Sequence, residues 1–179
     1  EDNPVRCADP EAAKKMEEAI LAAKERTDSV GGIVQLEIHG VPPGLGDPVF
    51  GKLDARLTSA VMTVGAIKGI EIGPAFANAR RAGTRVQDGI YWEEGRPARR
   101  TNRAGGVEGG VSNGQPVVIR AAMKPIPTTR APQPSVDLRS GEEVTAEYQR
   151  GDVCAVPAAA VVGEAMVAMV LADAVLEKF

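Results

Sequence analysis

The chain has 179 residues and is 44% hydrophobic but only 3% aromatic, so its core must be built from aliphatic side chains. Its length suits one domain, and we treat residues 1–179 as a single unit. The formal net charge of −3 argues against binding of nucleic acid or of acidic membranes through bulk charge.

Hydrophobic spacing predicts two helices and two strands in the first half of the chain. A helix begins at Asp9–Glu11, where a capping side chain precedes a proline, and its apolar stripe covers residues 12–23. Strict alternation over residues 34–39 predicts a strand with one buried face. The apolar stripe from Phe50 to Val64 predicts a second helix, and residues 67–72 predict a second strand.

The second half of the chain is less regular. We expect a short helix over residues 74–82, followed by a long and flexible loop over residues 84–110, where the periodicity is lost. Strands are predicted over residues 117–123 and 144–148, and an apolar helix follows Pro157. Because strands and helices do not alternate strictly, the pattern favours an α+β fold over a doubly wound parallel sheet.

The last helix is apolar on nearly all sides. Residues 155–176 are about as long as a bilayer span, but Pro157, Gly163, Glu164 and Asp173 interrupt them. A helix of this kind is more often buried between protein layers than inserted in a membrane. We therefore predict no membrane partner.

A glycine-rich run, Gly105–Pro116, carries bare backbone that can lie flat against a planar, polar ligand. Its spacing matches neither the dinucleotide nor the P-loop pattern. An ordinary glycine-rich turn before the next strand is an equally good interpretation. Both interpretations stay open at this point.

Few side chains offer nucleophilic or metal-binding chemistry. His39 is the lone histidine, so we predict no metal site and interpret it as a solvated strand residue. Cys7 and Cys154 are too few for a disulfide framework, which suits a reducing, cytoplasmic location. Cys154 stands among apolar residues, which favours a buried structural thiol over a nucleophile.

Two short charged segments are stronger candidates for a functional site than the histidine and the cysteines. Arg150-Gly151-Asp152 precedes an apolar segment, so the charged pair either faces solvent or is paired in a cleft. Lys124–Thr128 places a cation, two prolines and a hydroxyl at a strand end, which suits either a phosphate cradle or an ordinary strand terminus. The arginines over residues 96–103 could indicate single-stranded nucleic acid, but Glu93 and Glu94 dilute their charge, so we predict no nucleic-acid partner.

Taken together, ordered motifs along nearly the whole chain resemble those of the chorismate synthase family. The motifs are Asp28–Gly32, Gly40–Phe50, Lys52–Ala55, Ala66–Gly73, Thr101–Gly106, Gly109–Pro116, Lys124–Ile126 and Asp152–Pro157. So many motifs in the same order are stronger evidence than any one of them.

The resemblance implies a β-α-β sandwich, with helices between antiparallel sheets, assembled as a homotetramer. It implies a lyase of the shikimate pathway of aromatic amino-acid biosynthesis, which eliminates phosphate from 5-enolpyruvylshikimate-3-phosphate to give chorismate. The implied cofactor is reduced FMN, although the reaction has no net redox change. NADPH would supply the electrons, either at the enzyme itself or through a separate flavin reductase.

The resemblance also assigns roles to residues. The positions that match FMN-contacting residues of the family are Gly65, Ala66, Gly110, Lys124, Pro125, Ile126, Pro127, Thr128 and Arg150. Arg150 is also implied to face the anionic groups of the substrate. Asp152 matches the acidic residue that helps to move the proton on the flavin N5, and it is the one catalytic side chain predicted here.

Members of the family are longer, and the resemblance implies that this chain is their C-terminal half to two-thirds. The preceding region in the family carries two catalytic histidines and several phosphate-binding arginines. We therefore expect the chain alone to be inactive. The alternative is a folded part that serves only in assembly of the enzyme and cannot hold flavin.

Overall fold

The computed structural model describes residues 3–131, 133–149 and 151–179. In chain order the elements are α1 (Pro10–Glu25), β1 (Gly32–Ile38), α2 (Leu53–Met62), β2 (Ile67–Ile72), α3 (Ala75–Asn78), β3 (Ile90–Glu93), β4 (Arg96–Arg99), β5 (Val107–Glu108), β6 (Val111–Ser112), β7 (Val117–Met123), β8 (Pro134–Val136), β9 (Glu143–Thr145) and α4 (Val156–Lys178). The main sheet of the described residues has three strands in the order β1-β7-β2.

Strand β7 lies at the centre of this sheet and pairs antiparallel with both of its neighbours. Ile119 of β7 lies opposite Leu36 of β1 on one side and opposite Ile72 of β2 on the other. Strands β1 and β2 therefore run parallel to each other, with α2 between them in the sequence. The antiparallel pairing and the mixture of helices and strands confirm the predicted α+β class.

The core lies between one face of this sheet and the helices α2 and α4. Alternate residues of β7 are buried, as a strand with one covered face requires. Leu53, Leu57 and Val61 lie four residues apart on α2, which places them on one face of that helix, and all three are buried. The core is aliphatic, as the composition predicted.

Helix α4 packs one of its faces on β1 and α2. Gly163 allows close approach to the sheet, because a β-carbon there would lie 3.1 Å from Leu36 Cδ1. The opposite face is exposed: Met169 is 59% and Leu176 80% accessible. By length and composition α4 could also cross a membrane. The predicted burial between two layers is thus present on one side only, since the described residues place a sheet against one face of the helix.

The boundaries of two predicted helices were wrong. Phe50 was predicted to begin the stripe of the second helix, but α2 begins at Leu53 and Phe50 is 96% exposed. The helix predicted over residues 74–82 is only the four residues of α3, followed by a 3₁₀ turn at Gly83–Arg85. Its few apolar residues find no buried surface, so packing does not extend the helix.

The region predicted as a long loop contains a hairpin that the sequence analysis did not predict. Strands β3 and β4 pair across the turn Glu94-Gly95, where both residues have positive φ, of 50° and 77°. Such a turn matches the twist of a two-residue hairpin. The strand predicted to end at Tyr148 is the shorter β9, which pairs with β8. Flexibility of residues 84–110 stays a prediction.

Candidate functional site

A proline-rich segment, Lys124–Thr128, follows directly after β7. Pro125 and Pro127 have no N–H, so they cannot extend the hydrogen-bond ladder of the sheet. Hydrogen bonds to other parts of the chain hold the segment instead. The N–H of Lys124 donates to the carbonyl of Ala66 at 2.9 Å, and the carbonyl of Ile126 accepts from the hydroxyl of Ser29 at 2.7 Å.

A cavity of about 720 Å³ lies at the end of this segment. Its lining consists of Ile20, Leu21 and Lys24 from α1, Thr27, Asp28 and Ser29 from the α1–β1 connection, Thr128, Thr129 and Arg130, and then Tyr148, Gly151, Asp152, Val153 and Cys154. This volume is in the range of pockets for small molecules and cofactors. The lining carries both cations and carboxylates, so it can hold an anionic ligand and also exchange a proton with it.

The predicted catalytic residue, Asp152, lies in this cavity beside the end of the proline-rich segment. A β-carbon on its neighbour Gly151 would lie 2.7 Å from Thr128 Oγ1, so the two chain segments are in direct contact. On its other side, the carbonyl of Val153 accepts from the N–H of Val30 at 2.8 Å. Asp152 thus lines the cavity while its side chain stays exposed. Whether it forms a pair with Arg150 stays a prediction, because Arg150 lies outside the described residues.

Ala66 also lies beside the proline-rich segment, through its bond to Lys124. It has a positive φ of 66°, which turns the chain between α2 and β2. Gly65 is exposed, and a β-carbon there would meet open space. Ala66 therefore contacts the segment that borders the cavity. Apart from Gly65 and its two chain neighbours, no described residue places a heavy atom within 4 Å of that β-carbon position.

Residues 1–176 match the family model of chorismate synthase. The chain belongs to the chorismate synthase family. It is 52% identical over 183 residues to the chorismate synthase of Geobacillus thermodenitrificans, and the match covers 100% of this chain and 47% of that protein. The chorismate synthase of Rubrobacter xylanophilus is 53% identical over 177 residues, with 98% and 46% covered.

A solved structure, described as the crystal structure of chorismate synthase, matches with a TM-score of 0.81 and 43% identity. That match covers 99% of this chain and 46% of the other chain. The chain therefore spans about half the length of these members of the chorismate synthase family.

Gly110, another predicted flavin-contacting position of the chorismate synthase resemblance, lies apart from the cavity. Its carbonyl accepts from the N–H of Leu53 at 2.8 Å, which places it at the first residue of α2. Ala66 follows the other end of α2, and a helix of ten residues is about 15 Å long. The structure therefore brings together Thr128 and Asp152 but does not bring Gly110 to them.

Arg150, predicted to contact both flavin and substrate, lies outside the described residues. Two residues near it in sequence, Tyr148 and Gly151, line the cavity. Arg130 supplies a cation there, and its guanidinium carbon lies 5.5 Å from the centroid of the Tyr148 ring. This distance is within the range of a cation–π contact, which holds the charge at the rim.

His39 and Cys154 have different surroundings. The side chain of His39 is 69% exposed and lies 3.6 Å from Glu37, which confirms the interpretation of a solvated residue at a strand end. Cys154 is a half-buried free thiol that lines the cavity beside Asp152. Cys154 is therefore less buried than predicted, because a cavity opens on one side of it, and its structural role stays a prediction.

The sequence analysis missed two residues whose side chains hold neighbouring segments in place. Ser29 was noticed only as part of a family motif, although its hydroxyl holds the proline-rich segment. Asp88 accepts from the N–H groups of Arg103 and Ala104, and from the hydroxyl of Thr101. Burial opposes ionisation of Asp88, but these hydrogen bonds outweigh burial and lower its pKa. Asp88 thereby holds residues 101–104, directly before the glycine-rich run, and only its place before Gly89 hinted at this role.

Proposed function

We propose that this chain forms the flavin-holding part of a chorismate synthase active site. The reaction is the 1,4-anti elimination of phosphate from 5-enolpyruvylshikimate-3-phosphate, and it gives chorismate. The observation that carries this proposal is the meeting of Thr128 and Asp152 in one cavity, with the proline-rich segment as its border. Membership of the family supports the reaction class.

The residues at the cavity fit FMN. The volume of 720 Å³ accommodates a molecule of that size. Gly151 leaves free the space next to the Thr128 hydroxyl that a side chain would fill. In the proposed complex, Thr128, which lines the cavity, and Lys124, at the other end of the proline-rich segment, would hold the cofactor. When bound, reduced FMN would lend electron density to the substrate as phosphate leaves and would recover it as the C6 hydrogen departs.

Asp152 has the role of a proton carrier in this proposal. Its carboxylate is exposed to the cavity and accepts or returns the proton at the flavin N5. Arg150, two residues earlier, pairs with the carboxylate or phosphate of the substrate, because a guanidinium matches both groups. The protein must also exclude water and oxygen from the site.

The decisive experiment separates flavin binding from turnover. We expect the chain alone to bind reduced FMN saturably under anaerobic conditions. When the part of the Geobacillus thermodenitrificans relative that this chain does not match is added, we expect phosphate release from 5-enolpyruvylshikimate-3-phosphate. The intact relative serves as the positive control. Absence of phosphate release from the mixture, with an active control, would contradict the proposed reaction.

Asp152→Asn tests the role of the carboxylate within this assay. We expect phosphate release to fall by about 100-fold or more, because the proton carrier is lost, while FMN affinity changes by less than about twofold. Fluorescence quenching of FMN measures the affinity. Equal losses of affinity and of phosphate release would assign Asp152 to binding alone.

A second proposal, from a different class, is that the chain serves only in assembly. The exposed apolar face of α4, which includes Met169 and Leu176, favours it, because such a face needs cover. Lack of saturable FMN binding by a folded chain would favour this second proposal. Under both proposals we expect a homotetramer. We also propose a cytoplasmic location, which suits the free thiols of Cys7 and Cys154.

The source of electrons belongs to the same proposal. NADPH reduces the flavin either at this enzyme or through a separate flavin reductase. Anaerobic addition of NADPH to the mixture with FMN, with the loss of flavin absorbance as the readout, distinguishes the two. Reduction only after a reductase is added would assign the step to the partner.

A further inference from the structure

The connection between α1 and β1, Asp28–Gly31, lies between the two chain segments that border the cavity. The hydroxyl of Ser29 donates to the carbonyl of Ile126 at 2.7 Å, on the side of the proline-rich segment. The N–H of the next residue, Val30, donates to the carbonyl of Val153 at 2.8 Å, beside Asp152. Neighbouring residues of one connection therefore contact both segments.

The proline-rich segment needs an external contact of this kind. Pro125 and Pro127 offer no backbone donor, so regular pairing cannot fix the segment beyond Lys124. The hydroxyl of Ser29 is 2.7 Å from the Ile126 carbonyl, and Ser29 is only 9% exposed, so water does not readily replace it. Removal of this hydroxyl would leave the carbonyl unpaired and the segment free to shift.

Close packing also links the α1–β1 connection to the proline-rich segment. A β-carbon on Gly31 would lie 2.2 Å from the carbonyl oxygen of Met123 and 2.9 Å from the nitrogen of Pro125. The backbone of the connection thus lies directly against the start of the proline-rich segment. A displacement of one segment must therefore be accommodated by the other.

We propose that Ser29 is a positioning residue of the flavin cavity. Its hydroxyl holds the Ile126 carbonyl and so sets the distance between Lys124–Thr128 and Asp152. Ser29 acts through Ile126 and does not touch the cofactor itself. The inference rests on the proposed function for the identity of the ligand, while the bracing of the two segments is a property of the chain alone.

The test compares Ser29→Ala and Ser29→Thr with Thr58→Val, all in the 179-residue chain. Thr58 is the matched control, because its hydroxyl donates to the Asp54 carbonyl at 2.8 Å within α2, away from the cavity. Amide hydrogen exchange at Lys124 and Val30 measures the bracing, and fluorescence titration with FMN measures affinity. Thermal melting of each variant measures general stability.

We expect Ser29→Ala to speed exchange at both amides and to weaken FMN binding about fivefold, the effect of one lost hydrogen bond. Ser29→Thr keeps the hydroxyl and restores both properties. Thr58→Val changes neither, even if it lowers the melting temperature. If Ser29→Ala does not fold, Ser29→Cys takes its place, and we expect intermediate values because a thiol is a weaker donor.

Wild-type exchange at both amides in Ser29→Ala would overturn the proposal. An equal loss of FMN affinity in Thr58→Val would also overturn it, since the effect would then reflect general destabilisation. If the unsubstituted chain binds no FMN, the proposed function fails at that step. The exchange measurement then decides on the bracing independently.

Discussion

Gly151, which lines the cavity, and Gly31, in the connection between α1 and β1, differ in the atoms that surround them. A β-carbon on Gly31 would meet the backbone oxygen of Met123 at 2.2 Å, and a backbone atom cannot move aside without displacing the sheet. A β-carbon on Gly151 would meet the hydroxyl of Thr128 at 2.7 Å, and this hydroxyl can rotate away. Substitution by alanine should therefore lower the free energy of unfolding by different amounts at Gly31 and Gly151.

We expect Gly31→Ala to lower the free energy of unfolding by about 2 kcal/mol or more, as overpacking does. Gly151→Ala should change it by less than about 0.5 kcal/mol, because only a side-chain rotation is required. Urea unfolding of both variants beside the wild-type chain measures the difference. Equal stability of the two variants would contradict the assignment of the close contacts.

Asp88 makes the stability of the fold depend on pH. Although burial opposes its ionisation, hydrogen bonds from Arg103, Ala104 and Thr101 lower its pKa below the ordinary value of 3.8. A carboxylate with a lowered pKa stabilises the fold at pH values above 3.8, and this contribution is lost as the pH falls through the folded-state pKa.

We therefore expect Asp88→Asn to melt a few degrees below wild type at pH 7, because the charged acceptor is lost. The difference should narrow as the pH is lowered below 3.8, where wild type also loses the charge. Thermal melting followed by circular dichroism at a series of pH values measures this. A difference that stays constant over the series would show that ionisation of Asp88 is not involved.

At the scale of elements, the contact between α4 and β1 depends on the absence of a side chain. Gly163 lies over Leu36, whose Cδ1 would be 3.1 Å from an added β-carbon. Gly163→Val should lower the free energy of unfolding by about 2 kcal/mol, since it pushes the helix from the sheet.

Ala172→Val is the matched control for Gly163→Val, because Ala172 is exposed on the same helix. It should lower the free energy of unfolding by less than about 1 kcal/mol, through helix propensity alone. Guanidinium unfolding measures both variants. Similar values for the two would mean that α4 does not pack on β1 at Gly163.

The elements also show where local sequence patterns suffice. Strand β2 has the predicted bounds of Ile67–Ile72, and α1 begins at the predicted Asp9 cap, because periodicity and capping are local properties. The hairpin of β3 and β4 escaped prediction because both strands are short and largely exposed, so no alternation marks them. Its turn at Glu94-Gly95 was the remaining signal.

At the scale of the whole molecule, α4 presents an apolar surface that a stable assembly would cover. Val162, Met169 and Leu176 are spaced seven residues apart, so they lie on one face of the helix, and all three are exposed. If the homotetramer proposed above forms, further protein would cover this face.

We expect the chain to sediment as a species larger than a monomer, through this face. The double substitution Val162→Glu and Met169→Glu should shift it to a monomer, because charge on the face opposes burial. Leu138→Glu is the control. It adds charge at an exposed apolar residue of the β8–β9 turn, outside α4, and should leave the assembly unchanged. Analytical ultracentrifugation measures this, and a monomeric wild-type chain would contradict it.

The sequence by itself determined the family, the aliphatic core and the elements with strong periodicity, since each depends on residue types and their spacing. Only the tertiary structure decided that Ser29, Thr128 and Asp152 meet at one cavity, while Gly110 stands at the far end of α2. Such proximity depends on the insertion of β7 between β1 and β2 and on the paths of the connections. No local pattern encodes those long-range pairings, because they are set by the packing of the whole core.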